Sequence, residues 1–503
     1  MKCLIGIDIG TTNIKVAAYS ICGELIKIVK RRMKVYHSRQ EYSEYNPTYI
    51  WNKVCSCLQE VLSSKNIKQV EAIGISSMGE AGVPVDNKGN PLADIITWYD
   101  KRTTPQVKKL INIFGEKYLY NTSGQFISEK YGLNKVLWFK ENRPELFKLI
   151  HKWLSMEDYI VYCLTGEFAT DYSIASRTMA FDINKLGWAD AILEELDIPE
   201  CIFPEAYSGG KVVGQVNGIA AKETNLDKGI PVVLGGHDHA CASIGVNVFD
   251  QKVILNSMGT AEVTMFAVKD FNPLIRNQGL SIYPHCGNLL YRVISSIQAC
   301  GGSIEWFLNN FGTELKETSR DDHKNIYEKM MDEVIKSSSG VSGLLYIPYI
   351  RGKIGHPHVR GAFVGIKDNH SFKDFSRALI EGLSFELKEQ LESSEKIFNN
   401  RFEKIRVVGG AAKSDLWMQI KANIIGRNIE VPQNEEAATF GAAILAGYGV
   451  GVYSNLENNI NKLYKPKNEY RNDKGEQELW ENRYLYYLDV VNDLYKLYKK
   501  YNY

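Results

Sequence analysis

One local pattern occurs twice in this 503-residue chain. Residues 4–9 are an apolar run, Gly10-Thr11-Thr12-Asn13 is a polar turn, and residues 14–19 are a second apolar run, with a third strand expected after the Cys22-Gly23 turn. Residues 251–256 start the same course again, passing through Ser257-Met258-Gly259-Thr260-Ala261-Glu262 into residues 263–266. Two stretches that both open with strand, Gly-Thr turn and strand predict an internal duplication too decayed to show as identity. Length points the same way. A chain of 503 residues is too long for one hydrophobic core, and it divides naturally into residues 1–248 and 249–503.

Small, hydroxyl-rich turns of this kind offer backbone N–H and side-chain donors to phosphate oxygens. In the first, Gly10, Thr11, Thr12 and Lys15 would meet the anion, and Asp8 would hold a magnesium ion (Mg2+) through water. The plain alternative is a hairpin with a polar tip. The run Asp-x-Gly-Thr-Thr-x-x-Lys is not a Walker-type loop, which needs Gly-Lys-Ser/Thr leading into a helix. Gly259 and Thr260 repeat the chemistry, so the second turn would face the first across a nucleotide. Gly301-Gly302-Ser303 opens a helix, and a glycine pair there reads equally as an ordinary loop or as another anion site. Residues 404–408 read as a strand running into Gly409-Gly410-Ala411-Ala412-Lys413-Ser414, whose small residues would admit an adenine or its ribose. Residues 435–443 supply a second small-residue helix start to close that pocket.

Between the two repeats lies Gly235-Gly236-His237-Asp238-His239, after the apolar run 230–234. Glycines let the backbone turn sharply, so the Asp238 carboxylate would project from a strand end into a cleft, as a catalytic base must. Asp238 would also stand near the magnesium ion. His237 and His239 read either as substrate contacts or as packed structural histidines. Two further strand ends, after residues 72–76 and 95–96, would deliver Glu80, Trp98, Asp100 and Arg102. That set suits a polyol: carboxylates accept from hydroxyls, an arginine donates, and an indole covers the carbon chain. Surface loops around a buried tryptophan are the alternative. The spacing predicts a helix from Tyr131 continuing past Pro144, another from Trp153 to Cys163, a helix carrying Leu379, Leu383 and Leu387, and a tyrosine-rich terminal helix packed on the second domain. Residues 171–177 are polar and their location is left open.

Charge narrows the partners. Lysine plus arginine number 60 against 59 aspartates and glutamates, and without a basic surplus neither nucleic acid nor an anionic membrane is indicated. The nine cysteines include no Cys-x-x-Cys, so neither a zinc site nor a disulfide framework is expected. Asp8 falls where a signal peptide would have its apolar centre, and no apolar run approaches the roughly 20 residues that span a bilayer. The expectation is a cytoplasmic protein with small-molecule partners, with a homodimer as a possible assembly.

The order of these motifs resembles the FGGY family of carbohydrate kinases over nearly the whole chain. The resemblance is carried by Asp8 to Lys15, Gly236-His237-Asp238, Met258-Gly259-Thr260 and Gly409-Gly410-Ala411. One family signature is met by Gly361, Phe363, Gly365, Ile366, Asp374, Phe375, Ala378, Ile380 and Glu381, departing at Leu379; the other is met by Lys135, Val136, Trp138, Phe139, Glu141 and Asn142, departing at Lys130 and Gly132. The resemblance implies an α/β chain of two actin-like ATPase (ribonuclease H-like) domains flanking a central cleft, with sugar on the first and ATP between them. It implies that Asp238 takes a proton from a sugar hydroxyl as the oxygen attacks the γ-phosphate. The Gly-His-Asp-His run is similar to the His-Asp pair of deoxyketohexose kinases, whereas many xylulose kinases have Gly-Gly-Gly-Asp. Glycerol kinases carry Arg-Glu where this chain has Gly79-Glu80. A ketose or related open-chain sugar, a pentulose or deoxyhexulose, is the expected acceptor. The rivals are a non-catalytic actin-like sugar sensor or filament protein, and an acyl kinase, which would need an arginine-lined carboxylate site.

Overall fold

Each Gly-Thr hairpin begins a sheet, and the two sheets have the same internal order. The computed structural model describes residues 1–39, 41–287, 290–318, 325–354, 356 and 358–501. The first sheet comprises β1 (Lys2–Ile9), β2 (Asn13–Ser20), β3 (Leu25–Arg32), β4 (Gln69–Ser77), β5 (Val212–Gln215) and β6 (Pro231–His237), arranged β5-β6-β4-β1-β2-β3. The second comprises β7 (Val253–Met258), β8 (Glu262–Val268), β9 (Ser281–Pro284), β10 (Tyr291–Ile297), β11 (Lys404–Gly409), β12 (Asn428–Pro432) and β13 (Pro466–Tyr470), arranged β9-β10-β8-β7-β11-β12-β13. Within them β3-β2-β1-β4-β6 matches β10-β8-β7-β11-β12 strand for strand. In both, the first three strands pair antiparallel and the last two join in parallel. The duplication is therefore present in topology, and this is the two-domain actin-like α/β architecture.

Strand β1 reads as a continuous apolar run because both of its faces are covered. Ile5, Ile7 and Ile9 pack on one side with Ile14, Val16 and Ala18. Leu4 faces the other with Ala17 and Tyr19. That second face is covered by the helix Ala437–Gly449, which comes from the far half of the chain. A Cβ at Gly6 would stand 1.8 Å from the Thr439 carbonyl oxygen, and one at Gly74 would stand 2.0 Å from that of Ala442. Residues 437–443, expected to wall an adenosine pocket, are instead mostly buried against the first sheet. The helix Asp238–Gly245 crosses this one at Gly441 and Gly245, where added Cβ atoms would meet backbone at 1.8 and 2.2 Å. Beyond the crossing, Ala242, Val246 and Val248 pack on Val253, Leu255 and Met265 of the second sheet. Small residues thus let two helices pass between the sheets and hold both domains on one seam.

Two helix boundaries differ from expectation. The helix Gly132–Asn142 stops before Pro144, which opens a separate turn of helix, Pro144–Phe147; Arg143 sits at φ −141° because a residue preceding proline is pushed out of the helical region. Trp153 lies in the strand Lys152–Ser155, and the helix starts only at Met156, capped by a reciprocal Ser155–Asp158 box. The terminal helix Gln477–Tyr501 packs Tyr484 and Tyr487 on Phe385 of the helix Phe372–Phe398. Among the described residues no helix is long and apolar enough to cross a membrane.

Candidate active site

A cavity of about 460 Å³ opens between the sheets, lined from the first domain by Thr11, Glu80, Trp98, Lys130, Arg177, Asp238 and His239, and from the second by Ser281, Ser295 and Gln298. Asp238 is the first residue of its helix, immediately after β6. Gly236 allows that turn: it has φ +134°, and a Cβ there would stand 2.6 Å from Ser173 Oγ. The Asp238 carboxylate accepts the His239 N–H at 2.6 Å, lies 3.3 Å from His237 Nε2, and keeps 29% of its side-chain surface exposed. His237 itself is buried. Burial pushes its imidazole down to about 4, with Arg177 acting in the same direction, against the pull of Asp238. At neutral pH it is an uncharged ring beside the carboxylate, and it lines the cavity together with His239.

Glu80 is buried at the cavity wall, where Arg177 donates to its Oε1 through Nε at 3.1 Å and also through Nη2, and Lys130 stands 3.9 Å away. Burial works to raise the Glu80 carboxyl, but Arg177 and Lys130 outweigh it and hold the group at about 2. The remaining guanidinium edge, Nη1, donates to Gln125 Oε1 at 2.7 Å. Arg177 comes from the polar stretch 171–177, whose location the sequence left open, and Lys130 from one of the two departures from the family signature. Gly79 makes room for the pair, since a Cβ there would meet Arg177 Cγ at 2.7 Å and His237 Cδ2 at 2.8 Å. Beneath it, fully buried Lys135 donates to the carbonyls of Glu80 and Ile96, and burial brings its ammonium down to about 7. This lysine ties two cavity-wall segments together, a role visible only once both are placed.

Trp98 lies on the cavity wall as expected, with its indole N–H donating to Thr11 Oγ1 at 3.1 Å. Asp100 and Arg102 do not reach the cavity. Arg102 donates to Asp100 through Nε at 2.9 Å and Nη2 at 2.7 Å, pairs with Glu44 at 2.8 Å and lies 3.7 Å over the Tyr42 ring. Asp100 also accepts the Ser43 and Arg102 backbone amides. The two residues that were expected to contact substrate instead satisfy each other and fix the turn that presents Trp98.

On the phosphate side, the Gly10 amide closes the first turn on the Asn13 carbonyl at 3.0 Å, leaving Thr11 and Thr12 at the tip. Lys15 stands 3.8 Å from Asp8 and 2.8 Å from Glu436 of the second half. Burial is the main cause raising the Asp8 carboxyl to about 7, Lys15 opposes it, and Asp238 and Glu436 add to it. A buried carboxylate under that strain, electrostatically coupled to a second one, fits an incoming divalent cation. Oxygen donors suit magnesium, which characteristically takes one or two carboxylates and fills its shell with waters and phosphate oxygens. Among the described residues no group of three or more His, Cys, Asp or Glu is placed to hold a metal.

In the second turn, Gly259 donates to Ala261 at 2.9 Å. The amides of Gly301 and Gly302 donate to the Gly259 and Thr260 carbonyls, both at 3.0 Å, so this helix start braces the turn and these two N–H groups are not free for an anion. Gly409, at φ +101°, lets β11 end against Met258, whose carbonyl a Cβ would meet at 2.2 Å. Gly410 and Ala411 follow with their surface open, while the Ser414 hydroxyl caps the next helix by accepting the Trp417 amide at 3.3 Å. Lys421, fully buried, anchors that helix to Glu262 and Asn256 under the second turn.

Comparison with known proteins agrees with this architecture. Residues 3–245 match the N-terminal domain and residues 254–450 the C-terminal domain of the FGGY family of carbohydrate kinases. A xylulose kinase of Staphylococcus epidermidis is 30% identical over 489 residues, covering 96% of this chain and 95% of that protein. A glycerol kinase of Natranaerobius thermophilus is 28% identical over 504 residues, covering 96% of each. The ligand-bound xylulose kinase of Lactobacillus acidophilus superposes with a TM-score of 0.88 at 24% identity over 100% of both chains. The chain belongs to the FGGY family of carbohydrate kinases and is an ATP-dependent sugar kinase, a phosphotransferase with an alcohol group as acceptor.

Proposed function

We propose that this enzyme transfers the γ-phosphate of ATP to a hydroxyl of a neutral open-chain ketose, a pentulose or deoxyhexulose, with Asp238 as general base. The observation that carries the reading is the half-buried Asp238 carboxylate lining one cavity together with Glu80, Arg177 and Thr11. Residues 1–248 would hold the sugar and residues 249–503 most of the nucleotide, with closure of the cleft excluding water that would otherwise accept the phosphoryl group. Asp238 accepts the hydroxyl proton as the sugar oxygen attacks phosphorus. His237, uncharged, stands with Nε2 3.3 Å from the carboxylate and flanks it without neutralising it. Thr11, Thr12 and the amides of both turns donate to phosphate oxygens, and Gly409, Gly410 and Ala411 flank the adenosine. Magnesium, held by Asp8 and Asp238, would neutralise charge on the β- and γ-phosphate oxygens.

The acceptor class follows from charge and room. Glu80 offsets Arg177, and the further cation Lys130 is matched by the Asp238 carboxylate in the same cavity, so the lining offers hydrogen bonds with little net charge, which suits a polyol better than a sugar acid. Glycerol is disfavoured because the position before Glu80 is glycine and the space is filled by Arg177. Similarity to xylulose kinases supports a pentulose. The test is ADP release, coupled to pyruvate kinase and lactate dehydrogenase, over pentuloses, deoxyhexuloses, alditols, glycerol and gluconate. A ketose should exceed its own alditol by at least about tenfold in kcat/KM, one to two hydrogen bonds' worth. Preferred turnover of glycerol or gluconate would refute the assignment.

A further inference from the structure

The turn carrying Trp98 is unusually well held for a loop that leaves 39% of its tryptophan exposed. Asp100 takes four donors, from Ser43 and three groups of Arg102, and the Thr97 amide donates to the Ser43 carbonyl at 3.1 Å. Arg102 is in turn fixed by Glu44 and Tyr42. What this clamp presents is an indole perpendicular to the Tyr99 ring, with centroids 5.2 Å apart, that lines the sugar cavity. Its N–H reaches out of the sugar side to Thr11, at the tip of the first phosphate hairpin, and this is the only hydrogen bond the Thr11 hydroxyl makes among the described residues.

We infer that Trp98 is a positioning residue for the phosphate hairpin, coupling occupancy of the sugar cavity to alignment of Thr11. A hydroxyl has one proton and two lone pairs. With a lone pair accepting the indole N–H, the Thr11 O–H is directed away from the ring and is polarised as a donor to a phosphate oxygen. A polyol stacked on the indole face restrains the ring and hence this donor. Without it only the 3.1 Å hydrogen bond ties the ring to the hydroxyl, so the nucleotide is less firmly aligned when only water could be attacked. The inference rests on the proposed function in taking this cavity for the sugar and this hairpin for the γ-phosphate.

The test uses the full-length enzyme and the ketose it turns over best. Trp98→Phe keeps an aromatic face and deletes the donor; Thr11→Val deletes the acceptor; Thr11→Ser restores it. Both Trp98→Phe and Thr11→Val should lower kcat/KM for ATP by about 3- to 10-fold, the range of one hydrogen bond. The ketose KM should move by less than about 2-fold, because an aromatic face remains in Trp98→Phe and Thr11 does not hold the sugar. The double variant should be no worse than the poorer single, Thr11→Ser should recover wild-type ATP kinetics, and the ratio of sugar-free to sugar-dependent ADP release should rise in both single variants. Additive losses in the double variant, or a Trp98→Phe effect confined to the ketose KM, would overturn the coupling while leaving the kinase reading intact. Wild-type ADP release that no sugar stimulates would overturn both.

Discussion

Replacing Arg177 by methionine keeps an unbranched apolar stem and removes the guanidinium that balances Glu80. Both side chains are under 10% exposed, so solvent does little to screen the pair. In the folded protein the Glu80 carboxyl is held at about 2 against an ordinary 4.5. That difference of about 2.5 units is worth roughly 3 kcal/mol at about 1.4 kcal/mol per unit, in line with the cost of orphaning one member of a buried pair. A depressed carboxyl contributes stability that is present above pH 4.5 and is lost as pH falls toward 2. In the variant Lys130 is the cation left to oppose burial, the largest influence, so Glu80 is expected to titrate above 4.5 and stability to be lost as pH rises. Scanning calorimetry at pH 5 and pH 7.5 reads both effects. At about 2–4 °C per kcal/mol for a domain of this size, the variant should melt roughly 6–12 °C below wild type at pH 7.5 and by clearly less at pH 5. The ketose KM should also rise while ATP binding, measured by calorimetry, stays within about twofold. A melting temperature within 2 °C of wild type at pH 7.5, or an equal deficit at both pH values, would refute the view that Arg177 exists to keep Glu80 ionised.

Other consequences are as direct. Asp238→Asn retains an acceptor for the His239 amide, so the fold should persist while kcat with the preferred ketose falls by about 10² to 10⁴, the worth of a positioned base, with ATP affinity nearly unchanged. Burial raises the Asp158 carboxyl, in the first turn of the helix Met156–Thr165, to about 7, so its contribution to stability is complete below pH 3.8 and lost as pH rises through 7. Asp158→Asn, which still accepts the Ser155 amide, should therefore gain about 2–3 kcal/mol on wild type between pH 5 and pH 8 in paired melting curves. Gly301→Ala would place a Cβ 2.6 Å from the Gly259 carbonyl oxygen; the second turn must shift, costing about 1–3 kcal/mol of stability and weakening ATP binding in titration calorimetry more than sugar binding.

The chain's periodicity and turns determined much of this protein without help from tertiary structure. The two Gly-Thr hairpins were legible because strand, turn and returning strand are written in consecutive residues. The acid just after β6 was legible as a position, because a glycine pair after an apolar run lets the backbone turn there, although the same pattern also serves ordinary turns. The bracing of the second turn by Gly301 and Gly302 was half legible, since their identity marks a close backbone approach but not what approaches. Only the tertiary structure decided which polar residues meet. Glu80 was expected to face a sugar beside Asp100 and Arg102, yet its partner is Arg177, 97 residues away, while Asp100 and Arg102 close on each other. The helix Ala437–Gly449 read as a pocket wall and lies instead on the first sheet, because Gly6 and Gly74 leave its backbone a seat there. Backbone conformation and amphipathic faces depend on neighbours in sequence, so they can be read along the chain. Ion pairs, and the ionisation states they impose, depend on which distant segments exclude water together, and that is set only when the two sheets pack on their shared helices.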